Sequence, residues 1–148
     1  MNSNGIQAYR KTTVITADPG RLILMCYEGA IDQLKIAKIK YLENNYEAKC
    51  KALQKAMNII DELLCSLDLE KGGSIALNLS DMYKYMNQKI LLSDINKDPG
   101  GIDEVIGILS ELLSAWEVII NGRHKKTQHE PAQFNEESIQ QVSNFMSM

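Results

Sequence analysis

The chain is poor in groups that do chemistry. Its two histidines, His124 and His129, both lie in a polar stretch near the end, so no apolar segment carries an imidazole for base catalysis or metal ligation. No Glu-x-x-His pair of the diiron-bundle kind occurs. Three cysteines, Cys26, Cys50 and Cys65, are an odd number and lack the paired spacing of a zinc site. Each falls within an apolar helical segment, which predicts free, buried thiols in a reducing compartment. Gly72-Gly73 and Gly100-Gly101 read as turn glycines, because neither sits in a phosphate loop with its lysine and hydroxyl. Asp61-Glu62 and Asp81 have the spacing of a solvated helix face. No serine, threonine or cysteine has an assignable base. The sequence therefore reads as a non-enzyme without cofactor or metal.

Other scarcities bound the class. Aromatic residues make up only 6% of 148 residues, while Leu, Ile and Met are plentiful, which favours helices over a sheet. The net charge of −3 supplies no basic face for nucleic acid. The opening MNSNGIQAYRK has no apolar signal core, and no apolar run approaches the ~20 residues of a membrane span. A cytoplasmic protein without membrane insertion is expected.

What is present is helical periodicity. Asp18 is placed as an N-cap and Pro19 suits the first helical position. Ile23, Tyr27, Ala30, Leu34, Ala37 and Tyr41 then form one apolar stripe, ending near Asn44-Asn45. A second stripe runs through Leu53, Ala56, Ile60, Leu63 and Leu67 up to Gly72-Gly73. A third, opened by Ser74 as N-cap, carries Leu79, Tyr83, Met86 and Ile90. After NKDPGG the fourth carries Ile102, Val105, Leu109, Leu112, Trp116 and Ile119, with Asn121-Gly122 as its stop. Short connections between such helices predict an all-α, antiparallel up-down-up-down four-helix bundle over residues 18–122. Residues 1–17 read as a flexible N-terminal arm. Residues 123–148 read as a polar tail in which Ile139, Val142 and Phe145 or Met146 would align on a short final helix. Gly29 and Gly107 fall mid-helix, which fits either a close helix approach or a partner against the backbone.

More apolar residues are present than these stripes use. Leu22, Leu24, Met25 and Cys26 remain on the first helix, and Met57 and Leu64 on the second. Ile75, Met82 and Tyr85 remain on the third, with Ile108, Val118 and Ile120 on the fourth. In the predicted topology the surplus is weighted toward the end where helices 1 and 3 begin. Two readings stand equal on spacing alone: thicker core packing, or an exposed patch for a partner.

The set formed by Tyr9, the VITADP helix start, the LILMCYEGA run, LDLEKGGSIALNL and the late Trp116 resembles the flagellin export chaperones of the FliS family, from about Ile6 to Ile120. The resemblance implies a helical bundle that binds the disordered C-terminal segment of flagellin. Such a chaperone prevents premature polymerisation in the cytosol and hands the subunit to the export-gate protein of the flagellar type III machinery. It implies a flagellin groove, for which Leu22, Met25, Met57, Leu64, Ile75, Met82 and Tyr85 are the candidates. It also implies an N-terminal segment that folds over that groove, matched here by Ile6 and Tyr9. The polar tail ending in SNFMSM departs from the family pattern. The competing expectation is a helical adaptor or self-associating bundle that uses the same patch for another protein.

Overall fold

The computed structural model describes residues 18–125, with side chains through residue 122, as four helices. These are α1 (Pro19–Leu42), α2 (Tyr46–Cys65), α3 (Leu69–Ile95) and α4 (Pro99–Lys125). The expected arm 1–17, with Ile6 and Tyr9, lies outside the described residues, as does the tail beyond α4.

Local chemistry starts and stops each helix. The Asp18 carboxylate accepts from the Arg21 amide at 2.8 Å, with Pro19 at the first position, where no donor is needed. Asn45 caps α2 by accepting from the Ala48 amide at 3.2 Å. Asn44 just before it takes φ 60°, a left-handed conformation that asparagine tolerates. Asp68 opens α3 by accepting from the amides of Glu70 and Lys71 at 3.1 and 3.0 Å. Helical turns thus begin five residues before Ser74, the expected cap. They break at Gly73, whose φ 59° and ψ −140° suit only glycine, and then resume. Sequence spacing had merged the Leu69–Gly72 turn into the preceding segment, because Leu67 continues the α2 period. Asp98 serves α4, accepting from the Gly100 amide at 3.0 Å. Helix α4 runs through Asn121-Gly122 to Lys125 rather than stopping there, since glycine lowers helix propensity without forbidding the conformation.

The links span residues 43–45, 66–68 and 96–98, so successive helices must fold back on each other. Contacts across each neighbouring pair advance in opposite directions. Lys49 on α2 pairs with Asp94 on α3, while further along Asn87 meets Asp61. Lys38 on α1 pairs with Asp103 on α4, while at the opposite end Gly20 lies against Ile120. Each helix packs on two neighbours, α1 on α2 and α4, α3 on α2 and α4, and the α1–α2 pairing is the most extensive. This is a four-helix ring.

The core follows the predicted stripes closely, with shifts at their ends. Tyr27, Ala30, Leu34 and Ala37 are buried, as are Leu53, Ala56, Ile60 and Leu63. Leu79, Tyr83, Met86 and Ile90 are buried too, with Ile102, Val105, Leu109 and Trp116 facing them. Leu24 and Ile120, expected as surplus, are core instead, and Ile23 and Ile119 are only half-buried. The cause is geometric: an ideal helix drifts against a strict heptad, so stripe ends move sideways by one position. Within α4 the stretch Pro99–Gly122 is long and apolar enough to cross a membrane by length and composition, although Asp103, Glu104, Glu111 and Glu117 interrupt it. One face of it is nevertheless bundle core. Cys50 and Cys65 are exposed and Cys26 half-buried, so the expectation of buried thiols fails at two of three positions. Cys50 lies between Lys49 and Lys51 on the outer side of α2, and Cys65 is that helix's last residue.

A polar contact crosses the core centre. The Trp116 indole N–H donates to Tyr27 Oη at 3.1 Å, and the Tyr27 and Tyr83 hydroxyls are 2.5 Å apart. Three helices, α1, α3 and α4, are thereby joined through buried hydrogen bonds. Burial pushes the Tyr27 phenol up to about 12, against opposing hydrogen bonds from Tyr83 and Trp116. Tyr83 is raised further, again chiefly by burial, then by Tyr27 beside it.

Candidate functional site

Helix α3 carries the apolar surface that the bundle does not use. Twelve large apolar side chains are exposed among the described residues. Seven of them, Leu69, Leu77, Met82, Tyr85, Leu91, Leu92 and Ile95, belong to α3. Leu77, Tyr85, Leu92 and Ile95 recur at intervals that keep them on the outer face, with exposed Asp81 and Gln88 among them. Leu77 is 57% exposed, Tyr85 45% and Ile95 65%. Single exposed leucines need no explanation, but a row of them on one helix does.

The two flanks of α3 differ. Toward α4, Tyr85 Oη donates to Glu104 Oε1 at 2.9 Å, and Lys89 Nζ lies 3.4 Å from Glu104 Oε2. The carboxylate beside it raises the Tyr85 phenol above its ordinary range. Toward α2, Asn87 Nδ2 donates to Asp61 Oδ1 at 2.7 Å and to the Met57 carbonyl at 3.4 Å. Asn87 Oδ1 accepts from no protein group among the described residues.

The seven groove candidates fall in three places. Ile75, Met82 and Tyr85 are on α3, with Met82 and Tyr85 exposed and Ile75 half-buried against the core. Met57 and Leu64 are on the neighbouring α2 and also pack against the core as half-buried side chains. Leu22 and Met25 are half-buried on α1, the helix diagonal to α3. Thicker packing accounts for Cys26, Met57, Leu64, Ile75 and Ile108, whereas Met82, Tyr85 and Val118 remain outside.

The surplus is also not weighted toward the end where α1 and α3 begin. Ile36, Ile39 and Leu42 of α1, Tyr46 of α2, and Leu91, Leu92 and Ile95 of α3 crowd the opposite end. The helical period places Ile36, Leu92 and Ile95 on the side of their helices away from the core stripe, so their exposure follows from spacing that a reading of the stripes alone leaves unused. Their signal was the clustering of Leu91, Leu92 and Ile95 after the last core residue of the third stripe.

The mid-helix glycines separate as well. A Cβ on Gly29 would rest at 3.5 Å from Ile59 of α2, ordinary contact, and one on Gly107 would meet nothing within 4 Å. Close helix approach instead belongs to Gly101, where a Cβ would fall 1.6 Å from Ser93 Oγ. Among the described residues no group of three or more His, Cys, Asp or Glu side chains could hold a metal ion.

The sequence matches the family described as flagellar protein FliS over residues 2–123. It is similar to the flagellar secretion chaperone FliS of Salmonella typhimurium, 41% identical over 122 residues that cover 79% of this chain and 90% of the relative. The protein of the same name from Vibrio cholerae is 36% identical, over 82% of this chain and 93% of the relative. That of Bacillus subtilis is 32% identical, over 82% and 90% respectively.

Proposed function

The chain belongs to the FliS family of flagellar secretion chaperones, which are not enzymes, and on that premise we propose that it holds the C-terminal segment of flagellin for export. The observation that carries the reading is the exposed apolar row of α3, on a bundle whose family is one of secretion chaperones. The client segment, disordered when free, lays apolar side chains along α3 and the adjoining seams, where Met82, Tyr85 and Ile75 lie on one flank and Met57 and Leu64 border the other. Leu22 and Met25 extend the site on α1 if the segment wraps around the bundle. Helix-in-groove and extended contacts both suit such a surface.

Holding the segment in the cytoplasm removes it from premature polymerisation. Ordering the client offsets part of its contact energy, so an extensive complex remains releasable at the export gate without nucleotide hydrolysis. Ile6 and Tyr9 act as a cover that lies on the free groove and yields to the client. Occlusion for a given fraction of time lowers apparent affinity by that fraction.

Calorimetric titration with a flagellin C-terminal fragment tests the reading. A saturable one-to-one complex with a negative heat-capacity change is expected, as apolar burial requires. No heat and no complex by solution mass would overturn it, and a stable dimer unaffected by the fragment would favour self-association.

A further inference from the structure

We propose that the segment Ser138–Met148 is a built-in competitor that docks on the exposed row of α3 and shares that surface with the client. The inference rests on the chaperone reading for its regulatory part only. The family match ends at residue 123, so this segment is an addition that the shared chaperone pattern does not account for. Its sequence, SIQQVSNFMSM, contains no Asp, Glu, Lys or Arg. It therefore brings no charged side chain of its own to the α3 row, whose apolar residues are interrupted by exposed Asp81 and Lys84. Ile139, Val142, Phe145 and Met146 recur at the three- and four-residue spacing that gives a helix one apolar side. Three or four such anchors are what a helix-in-groove contact uses.

Reach fits the same surface. Helix α4 ends beside the start of α3, because the two run antiparallel. Residues 126–137 separate that point from the segment, and twelve residues extend to about 40 Å at about 3.3 Å each. Met82 lies thirteen residues into α3, about 20 Å along its axis at about 1.5 Å per residue. A tether of this length holds the segment at a millimolar effective concentration, so even a weak contact is substantially occupied.

The test keeps the chain whole. In the full-length double variant Val142→Asp, Phe145→Asp, the Met82 methyl and Tyr85 ring resonances should shift from their wild-type positions. Adding a synthetic peptide of residues 138–148 in trans should move them back. A flagellin C-terminal fragment should bind the variant about 2- to 10-fold more tightly than wild type, the factor set by the occluded fraction. Unmoved Met82 and Tyr85 signals would overturn the docking, as would shifts confined to Ile36, Ile39 and Leu42 at the far end. Unchanged client affinity would overturn the competition. If neither protein binds flagellin, the chaperone reading fails while the resonance comparison still decides where the segment sits.

Discussion

At the residue scale, Trp116 and the two buried tyrosines concentrate most of what a single substitution can reveal. Trp116→Ala should cost about 3–5 kcal/mol, the usual range for emptying a large aromatic site, and urea titration measures it. Part of that loss is polar, since the Tyr27 hydroxyl would lose its indole donor. Alkali tests the same cluster. Unfolded tyrosine ionises near 10 and Tyr27 near 12 when folded, so the unfolded chain releases its proton first. This contribution to stability is complete below pH 10 and is lost as pH rises through 12. Tyr83 is shifted the same way. Stability should fall by about 1.4 kcal/mol per pH unit for each buried tyrosine above pH 10. Denaturation midpoints measured from pH 8 to 11 should show that slope, and Tyr83→Phe should flatten it. Tyr27, Tyr83 and Trp116 were legible as core from period alone. That their polar tips meet was not, because period gives the face of a helix and not its depth or rotation against a neighbour.

At the element scale the glycines of α4 make opposite predictions. Gly101→Ala places a methyl where Ser93 Oγ stands, and both residues are buried between α3 and α4. The helices must part or Ser93 must move, and a loss of about 1–3 kcal/mol is expected from overpacking. Gly107→Ala adds a methyl to open space on an exposed turn and should stabilise by about 0.4–1 kcal/mol through the unfolded chain. Thermal melts of both variants would show shifts of opposite sign. Sequence could flag Gly107 as costly in a helix but could not separate it from Gly101. The distinction needs the α3–α4 distance, which no one-dimensional pattern carries. Likewise the Asp18-Pro19 start was plain from its local chemistry, whereas the Gly73 break was not, since its cap lies in a segment that still reads as α2.

For the whole molecule, the ring of four helices follows from stripe count and link length, and both were visible in the chain. The exposed row of α3 was only partly so: Met82 and Tyr85 stand off the stripe, but a count of stripes reads only the core side, and Leu77, Leu92 and Ile95 lie opposite it. Met82→Lys or Tyr85→Lys should leave the melting temperature nearly unchanged, because surface changes usually stay within about 0.5 kcal/mol. Tyr85→Lys also forfeits the exposed hydrogen bond to Glu104 and gains a charge beside it. Calorimetric titration should find flagellin binding weakened in both, as a charge buried under an apolar client lacks a partner. Wild-type affinity would move the site off α3. A collapsed melting temperature would mean that these side chains support the fold.

The contact of Gly20 with Ile120 closes the ring where its first and last helices meet. Chain order is then nearly free of the architecture: a short bridge could join α4 to α1, and the exposed link at Asn44 could be cut to give new termini. Such a circular permutant should fold to the same bundle, with α3 and its neighbours undisturbed. It would also detach both natural tails from their anchoring points, so that the bundle could be studied as a surface alone.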